Sequence, residues 1–257
     1  MVGLSLVIPA FAEAAHLAGT LRSVHTFLVR QQRLETTEVI VVTADASDRT
    51  PEIARRELAR FPIARHLEPG PKVGKGRDVR CGMLAARGEI VVFTDADLAT
   101  PLGYIEHAIT AIQHGSDVAI GRRDLARMHD RLSRRITSQL SNWLVGAVLL
   151  PGIADTQCGF KAFRRAIIPE LFEPLETVGW GFDLEVLARA RRAGGRITEI
   201  AVPDWADPKG DQGLAGEVHW VARLKTLGEL GKLAWRFGRQ PPSRRYIVTP
   251  PITATIR

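Results

Sequence analysis

Two acidic residues have the spacing of a metal site. Asp95 and Asp97 follow the apolar run 90–93 with one residue between them. If that run is a parallel strand, both carboxylates stand at its carboxyl end, where open α/β sheets bind ligands. Carboxylate oxygens suit Mg²⁺ or Mn²⁺ carrying a diphosphate. Such acids can also merely cap the next helix, but their place after a buried strand favours a metal site.

A glycine-rich loop at residues 70–77 carries three cations, Lys72, Lys75 and Arg77, just before a helical pattern. Backbone N–H groups at such a helix start can bind an anion. No Ser or Thr follows Lys75, so the loop is not a phosphate-binding Walker A sequence. Taken by itself, the loop is better explained as an exposed turn.

A third polar segment, residues 155–161, reads Asp-Thr-Gln-Cys-Gly-Phe-Lys. Asp155 follows an arginine cluster, Arg131, Arg134 and Arg135, where a phosphate could dock. For any single arginine, a surface network of ion pairs is the better explanation. Cys158 has no histidine nearby in the sequence and is interpreted as a packed thiol.

The elements that would position these residues alternate in type. Short β-branched runs are separated by stretches of helical period, which predicts a mostly parallel sheet flanked by helices. The predicted strands are 4–9, 38–43, 63–67, 89–94, 117–121 and 196–202, and the predicted helices include 13–30, 51–60, 76–87, 101–114 and 182–192. We expect one domain over residues 1–210, followed by a basic amphipathic helix and a tail over 211–257. A short edge strand is possible at 246–249, before Pro250 and Pro251.

Composition narrows the class of protein. The chain has 257 residues, 45% apolar and 25% charged, with a formal charge of +7 and two cysteines. No nucleic-acid-binding motif accompanies the basic residues, so nucleic acid is not an expected partner. The cysteine count excludes a disulfide framework and a thiolate zinc site. No apolar stretch reaches the roughly 20 residues that span a bilayer. We expect a cytoplasmic protein, and peripheral contact at the inner face of the membrane stays open.

Taken together, the motifs resemble those of family 2 glycosyltransferases with the GT-A fold, and within them the dolichyl-phosphate β-glucosyltransferase branch of polyprenyl-phosphate glycosyltransferases. The resemblance covers about residues 4–210. It rests on residues 7–13, 74–76, 94–101 and 120–123, and above all on the string 155–161.

The resemblance implies roles for individual residues. The nucleotide sugar, UDP-glucose rather than GDP-mannose, would contact Pro9, Ala10, Glu13, Asp45, Lys75, Asp95 and Ala96. Asp97, with Asp95, would hold the Mg²⁺ or Mn²⁺ on the diphosphate. The acceptor phosphate would meet Arg122, Arg134 and Arg135. The sequence departs from the family in three places. Thr43 and Ala44 occupy positions where the family has acids, so Asp45 would have to substitute, and Phe11-Ala12 replaces the more familiar Tyr-Asn before Glu13. We also predict no membrane anchor of the kind common in such relatives.

The expected reaction is inverting hexosyl transfer from the metal-bound donor. A lipid phosphate acceptor is already ionised and needs positioning by cations rather than a base. A hydroxyl acceptor would need a base, for which Asp155 and Asp183 are the candidates. A nucleotide-sugar-binding protein without turnover is the non-enzymatic alternative. The segment 213–238 fits a helix packed on its own domain and a helix on an anionic membrane about equally; the oligomeric state is not indicated.

Overall fold

The computed structural model describes residues 2–45, 47–124, 150–206, 231–233, 235–237 and 247–252. The described strands are β1 (Leu4–Pro9), β2 (Thr37–Val42), β3 (Ala64–Leu67), β4 (Ile90–Thr94), β5 (Val118–Arg123), β6 (Phe160–Arg164), β7 (Arg196–Val202) and β8 (Ile247–Ile252). The α-helices given in full are α1 (Leu17–Arg30), α2 (Thr50–Leu58), α3 (Lys75–Ala85), α4 (Tyr104–Gln113), α5 (Ile168–Phe172) and α6 (Phe182–Arg192). Where an element was predicted, its ends agree within about one helical turn.

The strands join in one sheet of order β3-β2-β1-β4-β6-β5-β7-β8. Strand β6 is antiparallel to both of its neighbours, β4 and β5, while the other pairs are parallel. The predicted mostly parallel sheet flanked by helices is confirmed. Strand β6 was not predicted, because Lys161 interrupts the apolar pattern of Phe160–Arg164 although it is buried.

Parallel pairing brings the functional loops to one side of the sheet. Strands β1, β2, β3, β4, β5 and β7 all end at the same edge, called the carboxyl edge below. Because β6 runs the other way, it begins at that edge, with Phe160 opposite Thr94. The segment 155–159 therefore meets the loop after β4.

The core lies on both faces of the sheet. Helices α1, α2 and α4 cover one face with side chains such as Leu21, Leu58 and Ile109. Helices α3, α5 and α6 cover the other face, together with Leu233 and Phe237 from the later part of the chain. Alternating side chains of the central strands point to the two faces, which is why these strands are apolar along their whole length.

The last part of the chain is described only in pieces. Strand β8 pairs with β7 in parallel and continues through both prolines, which an edge strand tolerates. The predicted division near residue 210 stays a prediction, because most of the segment 213–238 lies outside the described residues. None of the described helices has the length and apolar character needed to cross a bilayer.

Candidate active site

The acidic turn after β4 is fixed at both ends. The Asp95 N–H donates to the Gly159 carbonyl oxygen (3.1 Å). The Asp97 Oδ1 atom accepts a hydrogen bond from the Ala99 N–H (3.1 Å). The Thr20 hydroxyl of α1 donates to the Ala96 carbonyl oxygen, which ties the middle of the turn to the helix layer. The turn therefore presents its carboxylates at the carboxyl edge from a rigid support.

Lys75 reaches this turn from the start of α3. Its Nζ lies 2.6 Å from Asp95 Oδ1 and 4.7 Å from the centre of the Trp180 ring. The glycines on either side allow this approach: a Cβ at Gly74 would lie 2.3 Å from the Val178 carbonyl oxygen, and one at Gly76 would lie 2.5 Å from that of Thr177. The glycine-rich loop is thus packed against the segment 177–180 rather than being a free turn.

The segment 155–161 packs against the acidic turn at Gly159. A Cβ at Gly159 would lie 1.9 Å from Asp95 Oδ2, so glycine is required for the carboxylate to occupy its place. Cys158 is buried, with its Sγ 3.7 Å from Thr100 Oγ1, and burial raises the pKa of its thiol. The predicted role of Cys158 as a packed thiol agrees with this environment, since a nucleophile requires a thiolate.

Lys161 and Asp183 form a buried ion pair beneath the edge. Lys161 Nζ lies 2.5 Å from Asp183 Oδ1 and donates to the Cys158 carbonyl oxygen at 2.7 Å. The two side chains are 1% and 7% exposed. Burial raises the pKa of Asp183, although the ammonium groups of Lys161 and Lys75 act in the opposite direction. Sequence reasoning assigned Lys161 no role. A single cation within the short apolar run 160–163 is the one feature that could have indicated a buried ion pair.

Asp155 is bound by Arg123, the neighbour of the predicted phosphate-binding residue Arg122. Arg123 Nε and Nη2 donate to the two Asp155 oxygens at 2.7 and 2.9 Å. Burial raises the pKa of Asp155, but this two-point pair outweighs burial and leaves the pKa below its ordinary value. Arg122, the residue before Arg123 on β5, is near Glu199 instead. Burial raises the pKa of Glu199, and the charge of Arg122 acts in the opposite direction. Arg134 and Arg135 lie outside the described residues.

The loops that follow β1, β2 and β3 are joined to each other by hydrogen bonds. The Ala10 N–H donates to the Val42 carbonyl oxygen (2.8 Å), which links the residue after Pro9 to β2. The Glu13 N–H donates to Thr50 Oγ1 (2.9 Å) at the start of α2. The Asp45 N–H donates to the Gly70 carbonyl oxygen (3.0 Å). These three loops therefore form one continuous, hydrogen-bonded border along this part of the carboxyl edge.

The unusual residues after β2 are buried. Thr43 places its hydroxyl 2.7 Å from His66 Nε2, and Ala44 is fully covered. Asp45 is the first exposed side chain of this loop. Asp45 is therefore the acid of this loop that a ligand can reach, and its role in place of the missing acids stays a prediction.

The donor set at the acidic turn suits a divalent cation that arrives with its substrate. Among the described residues, no three His, Cys, Asp or Glu side chains are grouped closely enough to hold an ion by themselves. Mg²⁺ and similar ions are commonly held by one or two carboxylates together with substrate phosphates. Asp97 and Asp95 can supply those carboxylates.

The sheet order and the acidic turn after β4 place the fold in the GT-A class. The family model for glycosyl transferase family 2 matches residues 5–172, and the chain belongs to this family. Glycosyltransferase AglD of Haloferax volcanii is 38% identical over 213 residues, covering 82% of this chain and 34% of that protein. The chain therefore spans about a third of the length of that relative.

Two further comparisons agree with the family. Dolichyl-phosphate beta-glucosyltransferase ALG5D of Trichomonas vaginalis is 31% identical over 223 residues, covering 82% of this chain and 68% of that protein. The crystal structure of glucosyl-3-phosphoglycerate synthase from Mycobacterium tuberculosis with Mn²⁺, UDP and phosphoglyceric acid has a TM-score of 0.67 at 19% identity, covering 94% of this chain and 80% of that one. At this identity the structural likeness supports the fold alone.

Proposed function

We propose that the protein transfers a hexose, glucose from UDP-glucose, with inversion to a polyprenyl or dolichyl phosphate, using Mg²⁺ or Mn²⁺. Several relatives are named dolichyl-phosphate beta-glucosyltransferases, from Trichomonas vaginalis and from Homo sapiens. A structural neighbour was crystallised with Mn²⁺ and UDP-glucose. The names of the relatives support glucose as the transferred sugar and dolichyl phosphate as the acceptor, and the ligands of the structural neighbour are compatible with UDP-glucose and a divalent metal in the same fold.

The neutralisation of both candidate bases carries the proposal. Asp155 is held at two points by Arg123, and Asp183 is paired with Lys161 beneath the surface. A hydroxyl acceptor needs an accessible carboxylate to take its proton. A phosphate acceptor is ionised near neutral pH and needs none. We therefore favour the phosphate acceptor over the hydroxyl acceptor, and we assign Asp155 and Asp183 positioning roles at the catalytic centre.

In the proposed mechanism, the residues of the carboxyl edge position the donor and the acceptor. Asp97 and Asp95 would hold the divalent ion, which when bound neutralises charge on the departing nucleoside diphosphate. Pro9, Ala10, Glu13, Asp45 and Ala96 would line the nucleotide-sugar site. Lys75, held beside Asp95, has its ammonium close enough to the turn to contact the diphosphate.

The acceptor side of the mechanism needs cations to orient a phosphate oxygen. Arg122 is the described candidate, and Arg134 and Arg135 remain candidates from the sequence. An oriented phosphate oxygen would attack the anomeric carbon from the side opposite the diphosphate, so that the C–O bond to UDP breaks as the new one forms. Orientation of this kind accounts for a large part of the rate gain in such reactions.

Transfer assays with Asp97→Ala test the proposal. We expect wild type to transfer glucose from UDP-glucose to a short-chain polyprenyl phosphate with Mn²⁺, and the variant to lose about a thousandfold in rate, because a bound metal contributes several kcal/mol. The exposed acid Glu35, changed to Ala, serves as the matched control. Equal rates for Asp97→Ala and wild type would remove Asp97 from the mechanism.

The same assay separates the alternatives. Transfer to free sugars but not to the lipid phosphate would favour the hydroxyl acceptor. UDP-glucose binding without transfer to any acceptor would favour a nucleotide-sugar-binding protein. A lipid acceptor also agrees with a cytoplasmic protein that contacts the membrane peripherally, and this location is part of the proposal.

A further inference from the structure

Three exposed apolar side chains surround the loop that carries Lys75. Val73, Val178 and Trp180 are 53%, 42% and 66% exposed, and together they are called the apolar rim. Single exposed apolar residues are ordinary, whereas a contiguous group of them usually marks a binding surface. A function for the apolar rim therefore requires that its three residues form one contiguous surface.

The rim is contiguous because two loops are locked together. The Gly76 N–H donates to the Val178 carbonyl oxygen at 2.9 Å. The Trp180 ring lies against the Lys75 ammonium. Val73 directly precedes Gly74, where an added Cβ would lie 2.3 Å from the same Val178 carbonyl oxygen. The three apolar side chains are thus presented on a fixed backbone, next to the acidic turn.

The position of the rim is specific to the carboxyl edge. Other large apolar residues that are exposed, Val29, Leu84 and Ile247, lie at the opposite edge, where α1 and α3 end and β8 begins. The rim stands where the α3 and α6 helices begin, and so at the carboxyl edge that carries Asp95. A second exposed tryptophan, Trp235, belongs to a segment that Arg236 ties to Glu176 of the neighbouring loop, with 2.6 Å between Nη1 and Oε2.

We propose that the apolar rim is a membrane-contacting surface, which inserts into the interface of an anionic bilayer and holds the carboxyl edge against it. This inference rests on the proposed lipid acceptor, whose phosphate lies at the same interface. Tryptophan is suited to that boundary because its ring is apolar and its N–H is polar. The exposed Lys72 lies next to Val73 of the rim, and a cation there attracts anionic lipids, whereas the ammonium of Lys75 is already paired with Asp95.

Vesicle sedimentation tests the surface without any donor or acceptor. The full chain is mixed with vesicles of phosphatidylcholine, with or without phosphatidylglycerol. We expect binding to the anionic vesicles, and a loss of about tenfold in Val73→Ser/Val178→Ser, since two partly exposed valines no longer enter the interface. Val29→Ser, an equally exposed valine at the opposite edge, should bind like wild type. Equal binding by the double variant and wild type, or no binding by wild type to either vesicle, would overturn the proposal.

Brominated lipids locate the contact. They should quench wild-type tryptophan fluorescence on binding, and Trp180→Phe, which keeps an aromatic ring over Lys75, should lose a clear part of that quenching. Identical quenching in both proteins would place the contact elsewhere and refute the rim.

Transfer to a short-chain acceptor dissolved in buffer keeps the two proposals separate. This reaction needs no bilayer, so Val73→Ser/Val178→Ser should retain it while losing transfer to acceptor embedded in vesicles. Equal losses in both assays would make the rim part of the acceptor pocket and contradict the membrane role. Intact vesicle binding without transfer to any acceptor would refute the proposed function, while the membrane-contacting role of the apolar rim would still stand.

Discussion

At the scale of single residues, the geometry of the acidic turn depends on an atom that is absent from Gly159. Its hydrogen leaves room for the Asp95 carboxylate, which in turn meets Lys75. The string 155–161 is therefore a support for the carboxylates of β4, and its residues need not touch the substrate to be required. This explains how a motif with an unreactive cysteine can still identify the family.

Gly159→Ala is expected to displace Asp95 without unfolding the protein, because the end of a carboxylate side chain can move aside. UDP affinity in the presence of Mn²⁺ should fall at least about tenfold, equivalent to roughly 1.4 kcal/mol. Titration calorimetry measures the affinity and thermal unfolding checks the fold. Gly19→Ala, where an added Cβ meets nothing within 4 Å, is the matched control. Unchanged UDP affinity in Gly159→Ala would show that Asp95 can bind the donor from another position.

At the scale of elements, β6 connects the two halves of the site. It is the antiparallel strand between β4 and β5, and it carries Lys161 to Asp183 at the start of α6. The strands with long apolar runs were predictable from sequence because each is buried on both faces. Strand β6 was not predictable, since burying Lys161 is unfavourable unless its charge is paired with Asp183, and no local sequence pattern reveals this distant partner.

Lys161→Met tests this connection. It leaves Asp183 buried without its cation, and breaking such a pair costs about 3–5 kcal/mol of unfolding free energy. Replacing both partners, in Lys161→Met/Asp183→Leu, should recover much of the loss because no charge remains buried. Denaturant unfolding at neutral pH measures both variants, with the exposed Lys72→Met as control. A single variant as stable as wild type would mean that Asp183 can be satisfied without Lys161.

At the scale of the whole molecule, the sequence predicted which motifs share one edge of the sheet but not the side-chain pairs that form there. Asp95, Lys75 and the string 155–161 all follow predicted strands or precede predicted helices, so parallel topology brought them together. Arg122 was predicted as a contact of the acceptor phosphate, and no partner was predicted for Arg123, which the structure pairs with Asp155. Neighbouring residues of a strand point to opposite sides, and sequence alone does not fix which side faces Asp155. Contacts between residues far apart in the chain are set by the register of the sheet.

The Arg123–Asp155 pair joins the end of β5 to the loop before β6, so its protonation should affect global stability. Burial raises the pKa of Asp155, but Arg123 more than compensates, so the folded pKa lies below the unfolded value of about 3.9. The unfolded chain therefore takes up a proton first as pH falls. The stabilisation is complete above that unfolded value and is lost as pH drops through the folded pKa.

Asp155→Asn, which cannot ionise, should be less stable than wild type by about 3–5 kcal/mol at neutral pH. The difference should shrink as pH falls from about 4 towards 2, because only wild type loses a charged partner there. Denaturant unfolding of both proteins across this range measures it, with the exposed Glu35→Gln expected to follow the wild-type profile. Parallel profiles for wild type and Asp155→Asn would mean that the Asp155 carboxylate has the same pKa in the folded and unfolded chain, and that Arg123 gives it no special stabilisation.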